Sequence, residues 1–174
     1  MDNKTLFNHE KHYLTLNNYL KHLYKKKVFK ISLNGNFSCP NRDGTLSSLG
    51  CIFCSEKGSG DFAGEREKPI KEQFKNIKEM MHLKWNDGYY IAYFQANTNT
   101  YGTIEKLKET YSQIVSDNYL IDDKVKILSI ATRPDCLNEE IVEYIIGLYT
   151  QGIITEEFIY NKIRDAGGYI LVTN

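Results

Sequence analysis

Three of the four cysteines in this sequence, Cys39, Cys51 and Cys54, fall in one short stretch. Cys51 and Cys54 form a C-x-x-C pair, whose two thiolates can grip one metal centre from a tight turn. Cys39 stands twelve residues before Cys51, and Gly44 and Gly50 between them let the backbone fold back so that three sulfurs converge. Four cysteines in 174 residues are too few for a disulfide scaffold, so metal binding or redox chemistry is the expectation. Three chemistries stay open at this point. Zinc requires a fourth ligand, which Cys136, His9, His12, His22 or His82 would supply. A redox pair needs only Cys51 and Cys54. A [4Fe–4S] cluster on three cysteines leaves one iron without a protein ligand, free to take amino and carboxylate groups from a small molecule.

The elements that must position these residues follow from periodicity. Leu14–Tyr24 has helical apolar spacing. Val28–Leu33 alternates as a strand. Asn34–Gly64 is a long loop rich in Gly, Ser, Asn and Asp, of a length that in compact domains signals function or disorder. Pro69–Trp85 reads as a helix with Pro69 near its first turn and Ile70, Phe74, Ile77, Met80 and Met81 on one face. Tyr89–Phe94 and Val125–Ile130 are strands, Thr103–Ser116 is a helix with Leu107, Tyr111 and Ile114 inward, and Asn138 caps a helix to about Tyr149. A helix at Glu156–Ile163 and a strand at Tyr169–Val172 close the chain. This β-loop-α alternation predicts an α/β fold of parallel strands with right-handed crossover helices. In such sheets ligands gather beyond the C-terminal strand ends. The loops 34–64, 95–101 and 132–136 would meet there, and they hold the unusual residues of the sequence.

Bulk properties exclude rather than assign. Composition is 41% hydrophobic and 25% charged, as for ordinary globular chains, and 22 basic residues balance 22 acidic ones. Global charge therefore makes no case for nucleic-acid or membrane binding. The basic run Lys21–Lys30 reads as a solvated face. No apolar stretch is long enough to span a membrane, and Met1–Lys11 lacks a signal core, so a cytoplasmic protein is expected.

The wording of the loops adds a resemblance. "CPNRDGT…GCIFC" followed by "GSGDFAG", then "AYFQANTNTY" at 92–101 and "LSIATRPDCL" at 128–137, resembles the radical S-adenosylmethionine (SAM) family related to the catalytic subunit of Elongator. The resemblance covers roughly residues 12–147 and implies that Cys39, Cys51 and Cys54 hold a [4Fe–4S] cluster. It also implies that SAM binds the open iron and is reductively cleaved to a 5′-deoxyadenosyl radical, which abstracts hydrogen from a substrate. Phe53 would lie near the adenine or serve packing. Gln95, Asn97, Thr98 and Asn99 occupy the place of the family's glycine-rich SAM motif, although that glycine motif itself is missing. Arg133 would pair with a SAM carboxylate or, structurally, with Asp135. Gly58, Gly60 and Asp61 follow the cluster, Arg42 and Asp43 read as loop-fixing residues, and Cys136 as a buried inert thiol. The family implies a flavodoxin or ferredoxin as reductant, and RNA as substrate by analogy. Its fold implies that residues 1–150 are the N-terminal portion of a partial (β/α)6 barrel and residues 151–174 a divergent tail. About half a barrel is present, so a truncated, poorly stable chain with an open flank on its last strand is expected.

Overall fold

A computed structural model describes residues 13–115, 124–148 and the backbone of a strand at 169–173. The segments expected at Met1–Lys11 and Glu156–Ile163, and the ends expected at Ser116 and Tyr149, lie outside the described residues.

Helix α1 (Leu16–Tyr24) starts where Thr15 Oγ1 accepts from Asn18 N and ends at Lys25, left-handed at φ 56°. Strand β1 (Val28–Leu33), helix α2 (Ile70–His82), strand β2 (Tyr89–Phe94), helix α3 (Ile104–Val115) and strand β3 (Val125–Ala131) follow in chain order. After a 3-10 turn at Pro134–Cys136 comes helix α4 (Glu139–Leu148), whose Asn138 Oδ1 accepts from Ile141 N at 2.9 Å. The α/β class expected from the alternation holds: β1, β2 and β3 are parallel neighbours in that order.

The fourth strand departs from the expectation of an all-parallel sheet. Strand β4 (Tyr169–Thr173) lies antiparallel on β3, with Ile127 opposite Thr173 and Ala131 opposite Tyr169. Strand β3 is thus paired on both sides, and β4, the last strand, takes the sheet edge. A run such as Tyr-Ile-Leu-Val-Thr has strand propensity in either direction. Direction is set by the connection and the partner edge rather than by the strand's own residues.

The two sheet faces differ. One carries Phe29, Ile31, Leu33, Tyr90, Ala92, Phe94, Leu128 and Ile130 and packs on α2, α3 and α4 to form the main core. Tyr111 of α3 and Phe74 of α2 are fully buried within it, as the helical spacing requires. Met80, expected inward, is 61% exposed, because the stripe on α2 is carried instead by Ile77 and Met81. The other face is apolar only at its lower end, where Leu20 of α1 covers Ile91 and Ile127. Above that row the same face becomes polar, with Ser32, Tyr93 and Ser129 in register across the three strands. This polar half opens toward the C-terminal strand ends.

Candidate functional site

The loop after β1 carries the cysteines and is anchored at both ends by one helix residue that spacing did not reveal. Gln73 of α2 is 2% exposed; its Oε1 accepts from Asn34 N at 2.9 Å, and its Nε2 donates to Asn34 O at 3.1 Å and Lys68 O at 2.8 Å. A buried amide that satisfies backbone groups at both loop ends fixes where the loop leaves and re-enters the fold. Inside the loop, Arg42 Nη1 donates to Glu56 O at 2.8 Å, and its Nη2 donates to Ser55 O. The guanidinium thus ties the turn after Cys39 to the turn after Cys54. Asp43 Oδ1 accepts from Thr45 N at 3.0 Å, and that backbone contact holds its carboxyl below the usual range. Both residues have loop-fixing contacts.

The β2 loop clamps the cysteine stretch from the side. Thr98 N donates to Ser38 O at 3.1 Å, beside Cys39, and Asn97 N donates to Gly58 O at 2.8 Å, just past Cys54. Asn97 Nδ2 also donates to Phe37 O at 3.0 Å. This clamp explains Gly58, which sits at φ +62° with room for a Cβ only 2.0 Å from Asn97 Oδ1. Gly58→Ala is expected to lower stability by about 1–3 kcal/mol through backbone strain and this clash. Urea denaturation would measure it; a change within about 0.5 kcal/mol would show that the clamp is not held as described.

Above the polar half of the sheet stands a cavity of about 510 Å³. Cys39, Cys51 and Cys54 all line it, and each is half-buried. Asn41 Nδ2 donates to Cys51 Sγ at 2.9 Å and Ser59 Oγ donates to Cys54 Sγ at 3.5 Å. The three thiols share one wall but are not yet bundled: among the described residues no three Cys, His, Asp or Glu side chains stand close enough to hold a metal ion as they are. No histidine and no fourth cysteine lines the cavity among the described residues. His82 meets the Tyr90 hydroxyl on the opposite, core side of the sheet, and His9 and His12 lie outside the described residues.

Of the other residues singled out by sequence, Phe53, Gln95, Asn97, Thr98 and Arg133 line this cavity. Phe53 is 81% exposed, so it does not serve core packing. Asn99 and Asp135 do not line the cavity. Asn99 is fully buried, and its Nδ2 donates to Phe94 O, Ala96 O and Ala131 O at 3.3, 3.3 and 3.0 Å, riveting the β2 loop to the end of β3. Arg133 forms a two-pronged pair with Asp135, Nε to Oδ1 at 2.9 Å and Nη2 to Oδ2 at 2.6 Å, which lowers the carboxyl's pKa. Of the two readings of Arg133, the partner seen is thus Asp135. Cys136, expected buried, is half-buried and faces a separate cavity; burial, then the Asp135 charge, pushes its thiol pKa up. Lys30, read from the sequence as part of a solvated basic run, also lines the cavity, as do Tyr93 and Thr132, which sequence reasoning passed over.

Comparison with known proteins corrects one reading. The chain is 52% identical over 141 residues to the uncharacterized protein YtqA of Bacillus subtilis, covering 81% of this chain and 42% of that one. It is 35% identical over 129 residues to protein YhcC of Escherichia coli, 74% and 39% of the two chains, and 38% identical over 138 residues to the uncharacterized protein MJ0486 of Methanocaldococcus jannaschii, 75% and 39%. The chain spans about two fifths of the length of these relatives. No family model and no solved structure matches the chain. The names of the relatives assign neither cofactor nor reaction. The resemblance to the radical SAM family related to the Elongator subunit therefore finds no family match behind it, and that assignment is withdrawn.

Proposed function

We propose that Cys39, Cys51 and Cys54 hold a [4Fe–4S] cluster beside which SAM binds in the cavity. The observation that carries this reading is the count: three thiols on one wall, with no fourth protein ligand among the described residues lining it. A structural zinc site closes its fourth position with protein, whereas a three-cysteine cluster keeps one iron open. The residues fit the group. Thiolate is the ligand that iron–sulfur clusters use, and Asn41 and Ser59 already place hydrogen-bond donors on two of the sulfurs. Bringing the sulfurs together requires closure of a surface loop whose two ends are pinned by Gln73, a movement coupled to binding.

Held by Cys39, Cys51 and Cys54, a reduced cluster would supply the electron for reductive cleavage of SAM and so for hydrogen abstraction from a substrate. The chain's own residues do the rest. Gln95, Asn97 and Thr98 offer polar groups at the end of β2 for the amino acid part of SAM. Phe53 offers an exposed ring for the adenine. Arg42 holds the cysteine turns in register. Under the same proposal the parallel β1–β3 unit is the first part of a larger (β/α) barrel, the protein is cytoplasmic, and a flavodoxin or ferredoxin delivers the electron. No helix among the described residues is long and apolar enough to cross a membrane. An RNA substrate, which rested on analogy alone, is not carried into this proposal.

Anaerobic reconstitution with iron and sulfide tests the reading. A brown protein with about four irons per chain, forming 5′-deoxyadenosine on addition of SAM and dithionite, is the expected result. A colourless protein that takes up zinc tightly and excludes iron would overturn it.

A further inference from the structure

The cavity has a one-sided charge that the cysteine chemistry does not explain. Lys30, Arg42 and Arg133 line it, and among the described residues no Asp or Glu does, in a chain whose formal net charge is zero. Two of the three cations are engaged. Arg42 spends its guanidinium on the carbonyls of Ser55 and Glu56, and Arg133 on Asp135. Lys30 makes no ion pair among the described residues; its ammonium stands 4.7 Å over the ring of Tyr93.

That arrangement is costly to a strand. Lys30 sits in the middle of β1, between Phe29 and Ile31, which are 7% and 0% exposed. A lysine at a sheet position flanked by the core contributes little to packing and is depleted in strands. It lies in register with Ile91, at the point where the face changes from the apolar row under α1 to the polar row Ser32, Tyr93 and Ser129. The hydroxyl-bearing Ser32 and Ser129 are 8% and 6% exposed. The Lys30 side chain therefore lies along an aromatic ring at the cavity, and among the described residues no carboxylate pairs with it. A cation beside a cleft whose charged lining residues are all basic attracts anions more strongly than an isolated one.

We infer that Lys30, steadied by Tyr93, is the anion-binding residue for the substrate, and that the substrate presents an oxyanion, a phosphate or a carboxylate, to the floor of the cavity. This rests on the proposed use of the cavity for its location, but the recognition of the anion needs neither iron nor SAM. Lys30 grips the oxyanion through a charge-assisted hydrogen bond, and the Tyr93 ring confines its flexible stem to the cavity side of the sheet.

The experiment uses the full chain, metal-free and reduced, and titrates inorganic phosphate and acetate separately by isothermal calorimetry at low ionic strength. The wild type is expected to bind at least one of them saturably. Lys30→Gln is expected to weaken that binding about tenfold or more, Lys30→Arg to retain it, and Tyr93→Leu to weaken it less than Lys30→Gln. Preference for phosphate identifies a phosphate ester as substrate class, and preference for acetate a carboxylic acid. Lys30 is exposed, so a thermal melt of Lys30→Gln unchanged from wild type shows that the fold is intact. Saturable binding that Lys30→Gln leaves untouched, or no saturable binding by the wild type, would overturn the inference. So would a Lys30→Gln variant that loses SAM affinity together with acetate affinity, since Lys30 would then be a cofactor contact. Failure of iron reconstitution sinks the cysteine reading alone, because the anion titration contains no metal.

Discussion

Replacing Cys39, Cys51 or Cys54 singly by alanine is expected to drop the iron content of the reconstituted chain from about four per chain to below about one. Formation of 5′-deoxyadenosine falls with it to the uncatalysed background. The reason is stoichiometric: three ligands already leave one iron open, and a second open iron exposes the cluster to hydrolysis and loss. Each cysteine is half-buried on a surface loop that a separate set of contacts holds in place, namely Gln73 at the ends and Arg42 within. The three variants should therefore melt within about 0.5 kcal/mol of the wild type, which separates loss of the cluster from loss of the fold. Cys136→Ala is the counterpart, because Cys136 faces a different cavity and its thiol is pushed toward the neutral form. It should keep its full iron. Wild-type iron in any one of the three variants, or loss of iron from Cys136→Ala, would refute the ligand assignment.

The largest effect on stability is expected at Tyr111, the residue of α3 that joins the core to the site. Its ring is fully buried, 4.9 Å from Phe94 at an interplanar angle of 88° and stacked against Phe37 at 6.2 Å. Its hydroxyl donates to Asn99 O at 2.5 Å, and Asn99 in turn fastens the ends of β2 and β3. Tyr111→Ala should cost about 3–5 kcal/mol, from the cavity it leaves and the lost edge-to-face contact. Against a typical total of about 5–15 kcal/mol, that is enough to leave much of the chain unfolded at ordinary temperature. Tyr111→Phe keeps the ring and isolates the hydroxyl; its cost should be about 1–2 kcal/mol, because Asn99 O loses a buried donor. Urea denaturation of both variants checks these values, and a cost below about 1 kcal/mol for Tyr111→Ala would contradict the packing described.

The same residue predicts a pH dependence. Burial, and then the neighbouring Tyr144, raise the Tyr111 pKa well above its ordinary value, so the folded state holds the neutral phenol where the unfolded chain releases its proton. Tyr144, by burial, is itself raised to about 12. The stability from these protons is complete below about pH 10, the value in an unfolded chain, and is lost as pH rises from there through the folded values. Tyr111→Phe should flatten that alkaline decline; an unchanged slope would show that the phenol is not held neutral by the fold.

Local residue pattern was enough to define most of the elements. The alternation of Val28–Leu33 and the cap at Asn138 set element type and boundaries, because period and capping act over a few residues, whereas the first helix begins at Leu16 rather than Leu14 because Thr15 caps it. The cysteine spacing likewise marked a loop whose three cysteines line one cavity. What those patterns left undetermined is anything that depends on which of two partners a group chooses. Asn97 and Asn99 are two residues apart with the same side chain, yet one lines the cavity and the other rivets three carbonyls in the interior. A polar side chain at a strand end can serve a ligand or the backbone, and only the packed neighbours settle it. Arg133 is the same case, with Asp135 two residues away as its partner. The direction of β4 and the burial of Gln73 belong here too. So does the setting of Lys30, in a cavity that no Asp or Glu lines among the described residues and that loops far apart along the chain enclose. Short-range geometry is written in consecutive residues, whereas long-range satisfaction of charges and hydrogen bonds exists only once the chain has closed on itself.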